Sequence, residues 1–275
     1  WFLVKIDDVN SNELTLINEK RDKVYVDLSH QKNKWLDNEK FKVGDVFFIQ
    51  KENSINVIKQ IPEANGGLVV IDPHSGDILA MSGGFSFKLS EFNRSTQAKR
   101  QPGSAFKPIV YISALQKGYT PSTLILDAPY VVDQGPGLPK WKPANYSEEF
   151  YGLTTMRTGI EKSRNLMTIR LANKIGINSI LSSAKDLSIE KYLEKNMSMS
   201  LGSGLVTLLD LTNAYGTIVN GGKKIKPNII KSIYSRNGKK ILDNSNKVCK
   251  DCRLTNLDNK SKIPTINSNL TEVLD

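Results

Sequence analysis

The sequence predicts a mixed α/β protein in two parts, a small all-β barrel over residues 1–62 and a larger α+β domain over residues 63–275. Three observations predict it. The first sixty or so residues alternate apolar and polar at period two between turn-forming stretches. At ANGG (64–67) that pattern gives way to a hairpin, and beyond Ser104 apolar residues recur at helical spacing. An apolar share of 39% in 275 residues is enough for a real core. No run of 18 or more apolar residues reads as a membrane span, and WFLVKIDDV turns charged too early for a signal peptide. The chain opens inside a strand-like stretch and ends at TEVLD without a closing element, so it is expected to be a piece of a longer protein.

In order along the chain, WFLVKIDDV, ELTLIN, KVYVDL, DVFFIQ and INVIKQI read as five short strands. Turns such as NSN and EKRD separate them, which suits a barrel of OB-fold size. No chemistry is evident there, and a scaffold or spacer role is expected. LVVID, the turn PHSG and DILAMSGG form a hairpin with His74 in its turn, a solvated turn residue rather than a ligand. Residues 104–117 read as one helix closed by Gly118 in a left-handed cap. Residues 154–162 and 166–175 give two more helices on either side of Ser163-Arg164-Asn165. Residues 207–220 give another, with Leu208, Leu211, Tyr215 and Ile218 on one face and Gly221-Gly222 at its end. From 236 to 275 the composition turns polar and rich in Asn, Lys and Ser, which predicts an irregular tail.

The net charge of +10 comes from 38 Lys and Arg against 28 Asp and Glu. The lysines are spread along the chain, and no aromatic-plus-basic strip of the kind that stacks bases occurs, so a nucleic-acid partner is not expected. A Lys- and Asn-rich composition bias accounts for such a spread, and an anionic polymer or lipid surface is another use the charge could serve. Cys249 and Cys252 form a C-x-x-C pair in VCKDCRL. Zinc would need two further ligands, and the only histidines, His30 and His74, lie far off in sequence. A surface loop with a local disulfide or two thiols is expected, and no metal or cofactor.

The chemistry concentrates in QPGSAFKP (101–108). Residues i and i+3 of a helix share a face, so Ser104 and Lys107 are expected to point the same way one turn apart. A helix start offers unbonded N–H groups and a partial positive charge, and tolerates Pro108 in its first turn. A serine hydroxyl becomes a nucleophile when a base takes its proton, and a buried lysine with a lowered pKa can be that base. The backbone N–H of Ser104 is a natural oxyanion donor. The spacing therefore suits acyl transfer. By itself the tetrad reads more readily as a capping serine and a solvated lysine, because S-x-x-K recurs by chance in many chains. Some sixty residues on, EKSRNLMTIRLA supplies Ser163, able to relay a proton to a leaving amine, and Asn165, able to fix Lys107 or hold a substrate backbone. Helix capping would equally account for a Ser and an Asn in these places.

QPGSAFKPIVY, the SRN triplet, the approach WKPANYSEEFYGLTTMRTGIEKSRN and the string SMSLGSG together resemble the transpeptidase domain of class A penicillin-binding proteins. The resemblance runs from about Gly66 to Asn220 and includes FNRSTQAKRQPGSAFKP. The strands before it resemble the OB-like domain of the Gram-negative members. The fold implied is a serine transpeptidase or β-lactamase-like α/β (α+β) domain, incomplete, behind a small OB-like domain. The implied reaction is attack by Ser104, with Lys107 as base, on the peptide bond between the two terminal D-alanines of a peptidoglycan stem peptide. Ser163 would protonate the departing D-alanine, Asn165 would help hold the substrate, and an amine of a neighbouring stem would take the acyl group. β-Lactams would acylate Ser104 and stay. Implied partners are stem peptides, glycan strands, β-lactam antibiotics and, through an anchor outside this chain, the membrane. The implied location is the periplasmic face of a bacterial inner membrane, with a glycosyltransferase domain elsewhere in the protein.

This sequence departs from the family pattern in one motif. No K-T-G string occurs, and NGGKK (220–224) and RNGKK (236–240) do not fit it. Truncation before that strand is the expected cause, and a poor catalyst with exposed strand edges the expected consequence. A serine β-lactamase-like hydrolase would add an E-x-x-L-N base for deacylation, which is absent. A non-catalytic β-lactam sensor would carry the same Ser104 and Lys107, and a purely structural module would use SAFK and SRN only as caps.

Overall fold

The computed structural model describes residues 1–36, 40–133, 135–137, 139–245, 247–250, 265–268 and 270–274, in two units, Trp1–Asn65 and Gly66–Asp275.

In the first unit, period-two alternation builds five antiparallel strands: β1 (Phe2–Val9), β2 (Glu13–Asn18), β3 (Lys23–Asp27), β4 (Val46–Glu52) and β5 (Ile55–Lys59). They lie in one sheet in the order β3-β2-β1-β4-β5. Val4, Ile6, Leu14, Leu16, Val26, Ile49 and Ile58 all turn inward, as alternate positions on a pleated strand must. Side-chain amides lace the two edge strands together. Asn56 Nδ2 donates to the Tyr25 carbonyl at 2.8 Å. Asn33, wholly buried, donates to the carbonyls of Asp27 (2.8 Å) and Asn56 (3.3 Å) and accepts from the Ile58 N–H at 3.1 Å. A buried polar side chain is stable only when its hydrogen bonds are made, and here all serve the closure of the sheet.

The second unit opens with the hairpin β6 (Leu68–Ile71) and β7 (Ile78–Ser82). Its turn is held by Asp72, whose carboxylate accepts from the N–H groups of His74 (2.8 Å) and Ser75 (3.2 Å). His74 Nδ1 meets Asn220 Oδ1 at 2.8 Å, so it joins the turn to a distant segment. After β8 (Lys99–Arg100) a 3-10 turn over Gly103–Phe106 leads into α1 (Lys107–Gln116). Next come β9 (Leu124–Asp127), β10 (Gly152–Thr155), α2 (Met156–Glu161), α3 (Asn165–Ile175) and α4 (Ile177–Asp186). The remainder is β11 (Val206–Thr207), which pairs with β8, then α5 (Leu208–Val219) and the hairpins β12 (Ser232–Tyr234) with β13 (Lys240–Asp243) and β14 (Lys247–Lys250) with β15 (Thr265–Ser268). No helix among the described residues is long and apolar enough to cross a membrane.

The core lies around α1. Phe106, Ile109, Val110 and Ala114 pack with Met167, Leu171 and Ala172 of α3 and Ile180 and Ala184 of α4. Each large apolar side chain taken fully out of water contributes about 1.5–3 kcal/mol, so α1 is held from several sides.

Four sequence expectations need correction. The helix expected over 104–117 begins as a 3-10 turn, with the Lys107 N–H donating to Ser104 O, and becomes α-helical only at Lys107. First turns tighten in this way when a proline removes one N–H from the ladder. Residues 154 and 155 belong to β10, not to the helix that follows. In α5 the buried face is Asn213, Ala214 and Thr217; of the four residues expected there, Leu208 and Tyr215 stand exposed and Leu211 and Ile218 pack against the core. Small side chains let α5 lie close against β6, and packing overrode hydrophobicity in choosing the face. The tail from 236 is not irregular throughout: β13, β14 and β15 fall within it. Cys249 lies in β14, and Cys252 is outside the described residues.

Candidate active site

Two helices end in the same way, and the difference between them builds the site. In α1 the N–H of Gly118 bonds to Leu115 O (2.9 Å) and that of Tyr119 to Ala114 O (3.1 Å), with Gly118 at φ +85°. This is the Schellman ending, which turns the chain through the left-handed region and favours glycine there. In α2 the N–H of Ser163 bonds to Ile160 O (3.0 Å) and that of Arg164 to Gly159 O (2.9 Å), with Ser163 in the glycine place at φ +52°. A side chain costs about 1–2 kcal/mol in that conformation. Strain of this kind persists where surrounding structure imposes it, and it marks functional positions.

What the strained turn delivers is contact with Lys107. Lys107 is 2% exposed, and its ammonium donates to Ser163 O (2.5 Å), Ser163 Oγ (3.0 Å) and Asn165 Oδ1 (2.6 Å). Three donors meet three neutral oxygens, so the charged amine is fully engaged. Burial pushes its pKa down from 10.5 to about 8, and none of its hydrogen-bond partners is a carboxylate. The Ser163 hydroxyl accepts from Lys107, and among the described residues its own proton has no acceptor.

Ser104 lies in the 3-10 turn one turn before Lys107 and is exposed. Among the described residues its hydroxyl makes no hydrogen bond to Lys107. The structure thus joins Lys107, Ser163 and Asn165 directly and leaves Ser104 beside them, open to solvent. The Ser104 N–H has no main-chain acceptor among the described residues and is available to an incoming anion.

The turn that carries Ser104 is itself fixed. The Gly103 N–H donates to Gly202 O at 3.2 Å, and a Cβ on Gly202 would stand 2.1 Å from Gly103 O. Gly202, at φ +80°, is therefore a glycine by both space and conformation. Tyr215 O–H donates to Ala105 O at 2.8 Å, in the first turn where Pro108 has no N–H to give.

Neither Ser163 nor Asn165 caps a helix start. The residue in the N-cap place of α3 is Arg164, with no capping side chain of its own. Its guanidinium sits 3.2 Å over the Tyr151 ring and 3.9 Å from the buried carboxylate of Asp127. Asn145 instead accepts from the N–H groups of Asn165 (3.0 Å) and Leu166 (3.2 Å), and Asn165 Nδ2 donates to Ala144 O at 2.8 Å. Sequence reasoning missed both residues: Asn145 lies within the run WKPANYSEEFYG in the approach to SRN, and Asp127, in LILDAPY, carries no signal of its own. No group of three or more His, Cys, Asp or Glu residues able to hold a metal occurs among the described residues.

The arrangement can take a proton from a nucleophile, hold it on a buried amine and pass it on through a second hydroxyl. Residues 66–264 match the family model described as penicillin binding protein transpeptidase domain. Penicillin-binding protein 1A of Rickettsia typhi is 45% identical over 217 residues, 79% of this chain and 28% of that protein. Penicillin-binding protein 1A of Pseudomonas aeruginosa is 39% identical over 201 residues, 72% of this chain and 24% of that protein. The crystal structure of penicillin-binding protein 1A from Haemophilus influenzae superposes with a TM-score of 0.79 at 30% identity, covering 88% of this chain and 36% of that one. The PonA1 protein of Mycobacterium tuberculosis in complex with penicillin V superposes with a TM-score of 0.59 at 25% identity, covering 66% and 50%. The chain thus spans about a quarter of the length of the curated relatives it matches.

Proposed function

Because this chain belongs to the penicillin-binding protein transpeptidase family, in its class A, 1A-like branch, we propose that it serves peptidoglycan synthesis as a serine D,D-transpeptidase domain and is acylated by β-lactams at Ser104. The observation that supports this reading best is the buried Lys107, lowered in pKa, held by Ser163 and Asn165 and one turn from Ser104.

In the proposed first step neutral Lys107 Nζ takes the Ser104 hydroxyl proton while Oγ bonds to the carbonyl carbon of the terminal D-alanyl-D-alanine link. A neutral amine has two hydrogens and one lone pair, so deprotonation releases one of the three contacts and turns that position toward Ser104. The oxyanion takes a hydrogen bond from the Ser104 N–H. As the C–N bond breaks, the proton on Lys107 moves through Ser163 Oγ to the departing amine, whose replacement by a neighbouring stem's amine reverses the path and forms the cross-link. In a β-lactam the broken C–N bond lies in a ring, the amine stays tethered, and the ester persists. Asn165 holds Lys107 and, in this reading, the substrate backbone.

For the whole protein we propose a periplasmic location at the inner membrane, an anchor and a glycosyltransferase domain outside these residues, and an OB-like scaffold role for residues 1–62. The test is covalent labelling with a fluorescent penicillin, read on a denaturing gel, for this chain and for a version extended past Asp275, each beside its Ser104→Ala variant. Label that depends on Ser104 is the expected result. A folded extended protein that stays unlabelled overturns the acyl-enzyme reading, and label that turns over within minutes makes it a hydrolase instead.

A further inference from the structure

Asn145 occupies a buried crossroads that the acyl-enzyme chemistry does not by itself explain. It is 5% exposed and uses every hydrogen-bonding position of its amide. Nδ2 donates to Asp127 Oδ1 (2.8 Å) and to Glu149 O (2.9 Å), while Oδ1 accepts from the N–H groups of Asn165 (3.0 Å) and Leu166 (3.2 Å).

These bonds have a direction. A carboxylate and a carbonyl can only accept, so Asp127 and Glu149 O oblige the Asn145 amide to face them with its nitrogen and α3 with its oxygen. That oxygen and the adjoining Ala144 carbonyl then hold Asn165 twice, at its main-chain N–H and at Nδ2. With Nδ2 committed to Ala144 O, the atom that Asn165 turns to Lys107 must be Oδ1, 2.6 Å from Nζ. The other orientation would aim an N–H at an ammonium. The orientation passes from a buried carboxylate through two amides to the amine.

We propose that Asn145, oriented by Asp127, is a positioning residue that sets Asn165 and, through it, the place and hydrogen-bonding of Lys107 beside Ser104. The proposal rests on the acyl-enzyme reading given above. Asp127 has a second link to the same segment: its Oδ2 makes no hydrogen bond and faces Arg164 Nη1 at 3.9 Å. Arg164 is the middle residue of the SRN triplet, so both carboxylate oxygens bear on the turn that carries Ser163 and Asn165.

The rival explanation is that Asn145 merely caps α3. Substitution by aspartate separates the two. Aspartate caps a helix start as well as asparagine and adds a charge that the helix dipole favours, but it cannot donate to Asp127. We would measure acylation by a fluorescent penicillin at a series of drug concentrations, giving the rate constant at saturation and the drug's apparent affinity, with a melting curve for each variant. Asn145→Asp is expected to lower the saturating rate constant 10–100-fold with little change in apparent affinity. The swapped pair Asp127→Asn/Asn145→Asp restores a donor–acceptor link and is expected to recover at least tenfold over Asn145→Asp. Asn145→Asp acylating within threefold of the parent would overturn the proposal, because capping alone would then suffice. So would a swapped pair that folds and is as slow as the single variant. If the parent protein is not labelled at Ser104, the acyl-enzyme reading itself has failed, an outcome distinguishable from either of these.

Discussion

Replacing Ser163 with glycine separates what this residue does for the fold from what it does for the chemistry. For the fold, Ser163 sits at φ +52°, in the place where the equivalent turn after α1 has Gly118. Removing its side chain releases about 1–2 kcal/mol of left-handed strain. Against that stand a lost hydrogen bond from the Lys107 ammonium, about 1.5–3 kcal/mol for a charged partner, and the greater freedom of glycine in the unfolded chain, about 0.5–1 kcal/mol. Lys107 keeps its other two acceptors, so the lower end of the first loss applies. The balance is within about 2 kcal/mol, a shift in melting temperature of roughly 2–8 °C at this size. For the chemistry, the relay hydroxyl is gone, and a lost general acid–base group lowers a rate by about 10²–10⁴-fold. The assay pairs the acylation rate with fluorescent penicillin and a thermal melt. The expected result is a glycine variant that folds nearly as well as the parent and acylates at least a hundredfold more slowly. Ser163→Ala should be equally slow yet melt below the glycine variant, because alanine keeps the strain. Acylation of the glycine variant within threefold of the parent would refute the relay and leave Ser163 as the end of a helix.

The acylation rate should rise with pH through about 8 as Lys107 loses its proton, and Lys107→Arg should be slow with no such rise. The stability sign is fixed by the same shift: burial lowers the pKa from 10.5 to about 8, so between those values the unfolded chain binds more protons and stability contributed by Lys107 increases with pH. Lys107→Met should remove that increase in a melting series. Gly202→Ala would force a Cβ to 2.1 Å from Gly103 O at φ +80°, and the crowding and strain should lower the melting temperature by roughly 5–15 °C and the acylation rate with it. An alanine variant that melts and acylates like the parent would mean that the Gly103 turn does not set Ser104. Asn33→Ala should cost the first unit about 2–4 kcal/mol, because Ile58 N–H and two carbonyls lose their partner. Hydrogen exchange should then rise in β3 and β5 while labelling of Ser104 is unchanged.

The strands of the first unit were legible because period two is written directly into their residues, as in Val4 and Ile6 or Leu14 and Leu16. The end of α1 was legible because Gly118 has few other uses at the close of an apolar helix. The hairpin β12–β13 has an equally strong turn signal in Asn237-Gly238 between SIYS and KKIL, but the polar composition around it hides that signal. Other features were out of reach. Whether a first turn bonds i to i+3 or i+4 depends on small differences in backbone angle, so the 3-10 opening at Ser104 has no clear trace in the residues. For Ser163 and Asn165 the residues left two roles open, helix capping or contact with Lys107, and the fold decides for contact with Lys107. Asn145 is 20 residues from Asn165 in sequence, and no local rule connects them. Such links come from the way β9 and α3 meet in space.

The β6–β7 hairpin has a bearing on how the protein must be handled. Among the described residues β6 pairs only with β7, and Leu68, Val70 and Leu79 on this small ribbon stand in water. Ribbons of that kind find each other when molecules come close. The net charge of +10 opposes such an approach, and that repulsion reaches only about 8 Å at physiological salt and about 3 Å at molar salt. Added salt, commonly used to keep a basic protein in solution, is here the agent that lets the ribbons meet, so purification and storage should favour dilute, low-salt buffers well below the isoelectric point.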